Sequence, residues 1–206
     1  QQSKGLRKVL SKFLERALIR FANEVIVVSP SIAKWYQSTY GLSNVSCIKN
    51  IPGDKGFLNA QAHDLKSKLS VSSDGLLFIY QGIVGHERGV ERTLRLFSNA
   101  QKDRHILFLG YGDLVGEVKK YAKKFSNIHY HPAVKISELA SYTSAADVGL
   151  QLISPTCKSY YYCLPNKTFE YLFAGLPLLS SRLLEIERLV DDYHCGWLLP
   201  EADDRA

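Results

Sequence analysis

Methionine is missing from this 206-residue chain altogether, the first position included. That absence predicts a fragment or a processed chain, whose first and last residues need not be natural termini. No apolar run reaches the roughly 18 residues of a membrane-spanning helix. The basic, amphipathic first 22 residues lack the apolar centre of a secretory signal. Metal and redox motifs are equally scarce. Cys47, Cys157, Cys163 and Cys195 fit no zinc or redox spacing, and Cys157 and Cys163 are separated by five residues with no paired histidine. The expected state is reduced thiols in a cytoplasmic protein. The six histidines show no ligand spacing, no Asp-x-Asp pair occurs, and Ser29-Pro30-Ser31 makes no nucleophile elbow. Gly110-x-Gly112 has neither a third glycine nor a partner acid, which argues against a dinucleotide-dependent oxidoreductase. There are no repeats and no low-complexity tracts.

What is present is globular. At 46% hydrophobic and 22% charged residues the chain can bury a sizeable core. Its net charge of +6 is confined to the start: residues 1–60 carry nine Lys/Arg against three Asp/Glu, and residues 61–206 carry seventeen of each. A basic stripe for nucleic acid is therefore not expected. Residues 4–22 read as an amphipathic helix, with Leu6, Val9, Leu10, Phe13, Leu14, Ala17, Leu18 and Phe21 at helical spacing. Lys4, Arg7, Lys8, Lys12, Arg16 and Arg20 lie mostly on the other side. The favoured expectation is a helix packed on a domain with its charged face solvated. Contact with an anionic membrane surface is the alternative.

Glu24–Val28 is fit for a buried strand, Ser29–Tyr40 for a helix stopped by Gly41, and Val45–Ile48 for a second strand, a βαβ unit. The stretch 49–75 is rich in breakers and polar residues, with a short helix expected near 60–69. From Leu76 a regular alternation begins: strands at 76–81, 105–109, 127–131, 147–153, 178–180 and 196–199, separated by helices. Six such strands predict a doubly wound parallel sheet. In the order 3-2-1-4-5-6 its first and fourth strands flank the switch-point crevice. The loop at Gly82 and the loop 154–165 then face each other across that crevice. His129 and His131 flank the third strand and are expected to face opposite sides. His86 reads as a surface-loop residue.

One stretch anchors the chemistry, Leu164-Pro165-Asn166-Lys167-Thr168-Phe169-Glu170-Tyr171-Leu172-Phe173-Ala174-Gly175-Leu176-Pro177. It reads as a loop, a short helix opened by Pro165, and a stop at the left-handed Gly175 before Pro177. Asn166 and Lys167 stand at the helix start, where free N–H groups and the positive dipole end favour an anion. Glu170 lies one turn on, on the face of Asn166. Phosphate on the helix start and ribose hydroxyls on the carboxylate make a nucleotide site, and an ordinary capped helix is the alternative. Tyr160, Tyr161 and Tyr162 either stack on sugar or base or simply cover the preceding loop.

In fixed order these segments resemble the retaining glycosyltransferases of family 4, the group 1 type with the GT-B fold. The stretch 164–177 is similar to their donor signature. Gly82…Arg88-Gly89-Val90-Glu91 resembles their glycine-rich loop, and Gly110-Tyr111-Gly112-Asp113-Leu114 their G-x-G turn. Ser144-Ala145-Ala146-Asp147-Val148-Gly149-Leu150 resembles the segment leading into the fourth strand, and Ala22–Ser29 a strand near the end of the N-terminal domain. The resemblance implies a Rossmann-like donor domain over 76–206, a linker over 53–75, and over 1–52 the tail of an acceptor-side Rossmann-like domain. It implies metal-independent, retaining transfer of a sugar from a nucleoside diphosphate sugar to a glycan or lipid-linked acceptor. No cofactor is implied, and this piece alone is expected to be inactive. The expected location is the cytoplasm, with the inner membrane face open through residues 4–22.

Carried over residue by residue, Glu170 implies ribose binding, Asn166 and Lys167 the diphosphate, and Arg88 its neutralising cation. Gly82 and Gly89 imply tight turns or backbone approach. Ala133 and Val134 imply a loop holding the base. Two positions depart from the pattern. Tyr162 stands where the first glutamate of the family pair falls, and Ile83 where many members carry arginine, with Lys158 as a candidate substitute. A GT-B nucleotide-sugar epimerase and a non-catalytic nucleotide-binding or interaction domain remain as alternatives.

Overall fold

Two neighbouring apolar runs set the centre of the molecule. In the computed structural model, which describes residues 2–53, 56–57 and 60–200 and omits the side chains of 2–6 and 8, they form β3 (Leu76–Ile83) and β4 (Arg104–Tyr111), paired in parallel over their whole length. The linker positions Asp54, Lys55, Leu58 and Asn59 and the last six residues of the expected donor domain lie outside the described residues. Along both strands alternate side chains enter opposite cores. Tyr80, Ile106 and Phe108 pack on one face, and Leu77, Ile79, Leu107 and Leu109 on the other. Burial on both faces is why these strands read as continuous apolar runs rather than as alternating ones.

Four further strands complete the sheet: β5 (Ile128–Pro132), β6 (Val148–Gln151), β7 (Leu178–Ser181) and β8 (Gly196–Leu199). The order is β5-β4-β3-β6-β7-β8 and every pairing is parallel. This is the doubly wound order expected, with the switch point between β3 and β6. Helices α4 (Val90–Ser98) and α5 (Val115–Lys124) supply one core. The other lies under α3 (Leu65–Lys68), α6 (Ile136–Thr143) and α8 (Asn166–Phe173). Asp147 ties the switch point to the preceding segment: its Oδ2 accepts from the Leu77 N–H at 2.7 Å and pairs with Lys66 Nζ at 2.8 Å.

The first part of the chain forms α1 (Gln2–Leu18), a 3-10 turn (Ile19–Phe21) and a separate two-stranded parallel sheet, β1 (Val25–Val27) and β2 (Val45–Cys47), joined by α2 (Pro30–Tyr40). The Ser29 hydroxyl caps α2 and Gly41 ends it. This unit is fastened to the six-stranded part by polar contacts. Ser29 Oγ donates to the Tyr162 carbonyl at 2.8 Å, and the Ser31 N–H donates to buried Glu185 Oε1 at 2.7 Å. Glu185 opens α9 (Leu184–Tyr193).

Three expectations change. The stretch 154–164 is not all loop, since it contains a one-turn helix, α7 (Lys158–Tyr161). His129 and His131 share a face of β5, because residues two apart in a strand point the same way. His129 meets His105 at 2.9 Å and His131 meets the Tyr142 hydroxyl at 3.2 Å. Among the described side chains the apolar side of α1 is not packed: Val9, Leu10, Phe13, Leu14 and Leu18 are exposed, as is Phe21 in the 3-10 turn. One link from α1 to the body is the Tyr36 hydroxyl, which donates to Glu15 Oε1 at 3.1 Å.

Candidate functional site

The C-terminal ends of β3 and β4, the turn after β5 and the first turns of α8 enclose a cavity of about 200 Å³. Gln81, Gly82, Gly110, Val134 and Glu170 are among its walls. It lies outside the carboxyl ends of the strands at the switch point, where open α/β sheets bind ligands. Its size is below the ~300–1,000 Å³ of sites that enclose a whole drug-sized ligand, so it suits part of one.

The helix α8 aims its start at this crevice because both of its ends are fixed. Pro165 sits just before the first turn, and the Thr168 N–H donates to its carbonyl at 3.0 Å. Buried Thr168 donates from Oγ1 to Gln151 Oε1 on β6, and Gln151 Nε2 donates to Ser180 Oγ on β7. At the far end Gly175 takes φ 75°, and the N–H groups of Gly175 and Leu176 return to the carbonyls of Leu172 and Tyr171. This is the paired closure of a Schellman stop.

Glu170 projects into the cavity and is held there. Gln81 Nε2 donates to Glu170 Oε2 at 2.5 Å, and Gln81 Oε1 accepts from the Thr143 hydroxyl at 2.9 Å. The Gln81 N–H in turn donates to the fully buried Tyr171 hydroxyl at 3.0 Å. Gln81 is 2% exposed, so its amide has little freedom to turn away. Neither Gln81 nor Thr143 is a candidate on sequence grounds. The available signal is a glutamine closing an otherwise apolar strand directly before the Gly82 loop.

Two cations, Lys167 and Arg88, stand close to the α8 start. Lys167 reaches across the crevice, with Nζ 4.0 Å from the Tyr80 ring centroid and Cε beside Gly82. Arg88 lies half-buried over the Tyr160 ring at 5.0 Å. Burial, and then the positive charge of Arg88, pull Lys167 down to about 7. The neighbouring Cys163 thiol is pushed by burial up to about 11 and stays neutral. Two converging cations that disfavour one another make a site electrostatically incomplete without an anion. Asn166 is exposed at the first helical position beside them.

The remaining candidates divide. Gly89 is buried against the Leu152 backbone and outside the cavity wall, so its part is packing. Ala133 and Val134 line the same cavity as Gly82 and Glu170. Lys158 points away, to the Trp35 ring at 5.0 Å, and does not join Arg88 and Lys167. Ile83 is exposed, and His86 pairs with Glu91 at 2.7 Å on the surface. Tyr160 packs beneath Arg88, whereas Tyr162 faces α2 through its carbonyl.

Comparison with solved structures gives many similar folds, three of which follow. WaaG, a glycosyltransferase involved in lipopolysaccharide biosynthesis, aligns with TM-score 0.66 at 16% identity, over 86% of this chain and 49% of its own. Anabaena HepE, in complex with UDP and glucose, aligns with TM-score 0.65 at 13% identity, over 92% of this chain and 52% of its own. The pneumococcal O-GlcNAc transferase GtfA, in complex with UDP and GlcNAc, aligns with TM-score 0.66 at 14% identity, over 93% and 37%. This chain therefore spans about half or less of these relatives, and at such identities the likeness speaks for the fold. A search of curated proteins by sequence finds no match. Residues 75–206, well over half of the chain, match the family described as Glycosyl transferases group 1, and the chain belongs to that family.

Proposed function

We propose that the chain is the donor-side part of a glycosyltransferase that moves a sugar from a nucleoside diphosphate sugar to a glycan or lipid-linked acceptor. The observation that carries this reading is the gathering of Arg88, Lys167 and the α8 start at the crevice, with Glu170 pinned one turn further along α8. The reaction breaks the bond from the sugar's anomeric carbon to the diphosphate, and negative charge grows on the leaving group. Fixed cations and helix N–H groups aimed at that charge stabilise the transition state without a metal ion. Glu170 receives the ribose hydroxyls, and the cavity beside Val134 takes the base. Residues 1–52 serve as the tail of the acceptor-side domain, 53–75 as the linker and 76–206 as the donor domain. Retention of configuration follows the family.

Calorimetric titration of the full-length protein with UDP, GDP and their sugars tests this. UDP is the first choice because the HepE and GtfA complexes hold it. Nucleoside diphosphate binding lost on Glu170→Ala supports the reading, and no binding of any member sinks it. An epimerised free sugar without transfer product would select the epimerase instead.

Gln81→Leu removes the donor that holds Glu170, whereas the Thr143 hydroxyl keeps the Leu139 carbonyl at 2.8 Å. A hydrogen bond to a charged group is worth ~1.5–3 kcal/mol. Affinity for the bare nucleoside is expected to fall about tenfold or more, in step with affinity for the nucleotide. A loss confined to the diphosphate would contradict the ribose assignment of Glu170.

A peripheral membrane contact belongs to the same proposal. The exposed apolar side of α1 is accompanied by exposed Arg7, Lys12, Arg16 and Arg20, the pattern of a helix lying in an anionic interface. Among the described residues no helix is long and apolar enough to cross a membrane. Vesicles containing phosphatidylglycerol are expected to bind the protein at low salt. Binding should weaken toward 1 M salt, where the Debye length is about 3 Å, and with Lys12→Glu plus Arg16→Glu. Equal binding to neutral vesicles would remove the electrostatic part.

A further inference from the structure

A second cavity, of about 370 Å³, opens where α1 and α2 meet the 158–162 segment, away from the nucleotide crevice. Its walls include Glu15, Trp35, Tyr36, Lys158, Ser159 and Tyr162. We propose that this cavity binds a neutral pyranose residue of a glycan. Seating a glycan here rests on the transferase reading for its biological role but not for its chemistry.

The chemistry comes from three features. The first is an aromatic wall. Trp35, Tyr36 and Tyr162 line the space, with Trp35 edge-on to Tyr36 at 5.0 Å. A pyranose carries a face of C–H groups that packs on such rings while its hydroxyls point outward. The second is balanced charge. One carboxylate, Glu15, and one ammonium, Lys158, border the space. A carboxylate accepts only and an ammonium donates only, so vicinal hydroxyls, which do both, can satisfy the two together. An anion or a cation would gain from one and be repelled by the other. The third is preorganisation. The Tyr36 hydroxyl donates to Glu15 Oε1 and is kept protonated by burial and by that carboxylate, which fixes the acceptor in place. Exposed Lys158 lies over Trp35 at 5.0 Å and reaches the rim from solvent.

The cavity volume falls within the range of small-ligand sites. Tyr162 joins it to the donor motif: its carbonyl is held by Ser29, and Asn166 follows four residues later. The two cavities share no lining residue.

The test is saturation-transfer NMR on the full-length protein with the methyl glycosides of glucose, galactose, N-acetylglucosamine and glucuronic acid, run beside UDP titration. Signals from one or more neutral glycosides are expected, reduced about tenfold by Trp35→Ala and restored by Trp35→Tyr. Glu15→Gln should weaken them several-fold while keeping the acceptor for Tyr36. UDP affinity should stay unchanged in all three variants, which also reports that each is folded. Absence of every neutral glycoside signal in a protein that binds UDP would overturn this proposal and leave the donor reading standing. Glycoside binding without UDP binding would do the reverse. Stronger binding of the glucuronide, or signals untouched by Trp35→Ala, would likewise overturn the assignment.

Discussion

Replacing Lys167 by methionine should weaken UDP binding about 30- to 1,000-fold while raising the melting temperature of the ligand-free protein. The two effects have one cause. Lys167 is desolvated and faces Arg88, so its charge is a liability unless an anion offsets it. Removing one partner of a desolvated, hydrogen-bonded charge pair costs ~2–4 kcal/mol of binding, and 1.36 kcal/mol is one decade. In the free protein the same substitution removes a cation from a site where cations disfavour one another. Titration calorimetry and a thermal melt on the same sample check both signs. Loss of binding together with a fall in stability would mean that Lys167 is structural and that the diphosphate lies elsewhere.

The pH dependence sharpens this expectation. In the free protein Lys167 sits at about 7, below its ordinary value. The folded, ligand-free state therefore binds fewer protons than the unfolded state above pH 7, and stability rises with pH through that window. A bound diphosphate raises the lysine again, so binding takes up a proton. Affinity for a nucleotide sugar should be flat below pH 7 and fall by up to tenfold per unit above it. Using the sugar diester avoids the terminal phosphate's own ionisation near pH ~6. Lys167→Arg should abolish the slope. A slope that survives in Lys167→Arg would assign the proton to another group.

The sheet was legible because its inner strands are buried on both faces and the first three strands are punctuated by Gly82, Gly110 and Pro132. Length, apolar run and breaker all agree at those positions. The α8 motif was legible for a similar reason, since Pro165 and Gly175 carry backbone chemistry that shows in the letters themselves. Gln81 and Thr143 were not legible. Their significance lies in hydrogen bonds to each other and to Glu170 across 62 and 89 positions of sequence. Long-range pairing of that kind has no local pattern. Lys158 misled for the opposite reason: proximity in sequence to the motif suggested the phosphates, but the one-turn helix α7 carries the side chain toward Trp35. The free apolar side of α1 could not be read either, because periodicity shows that a helix has an apolar face and not what covers it.

The two loop glycines should separate sharply when each is replaced by alanine. Gly89 has φ 85° and a new Cβ would lie 2.0 Å from the Leu152 carbonyl oxygen. Leu152 follows β6, which is paired on both sides in the middle of the sheet, and is itself fully buried, so that backbone has nowhere to retreat. Left-handed strain of ~1–2 kcal/mol and overpacking of ~1–3 kcal/mol then act together, a loss of about 2–5 kcal/mol. If the chain instead relieves the overlap by lifting the 85–89 turn, Arg88 moves with it and UDP affinity falls. Gly82 has φ 107°, but its Cβ would meet nothing nearer than Lys167 Cε at 3.9 Å. Gly82→Ala should cost only backbone strain, ~1–3 kcal/mol, with room left for the lysine to shift. Urea unfolding of the two variants orders them. A Gly89→Ala protein as stable as the parent, with UDP affinity intact, would show that the turn is soft and that Arg88 is not held by it.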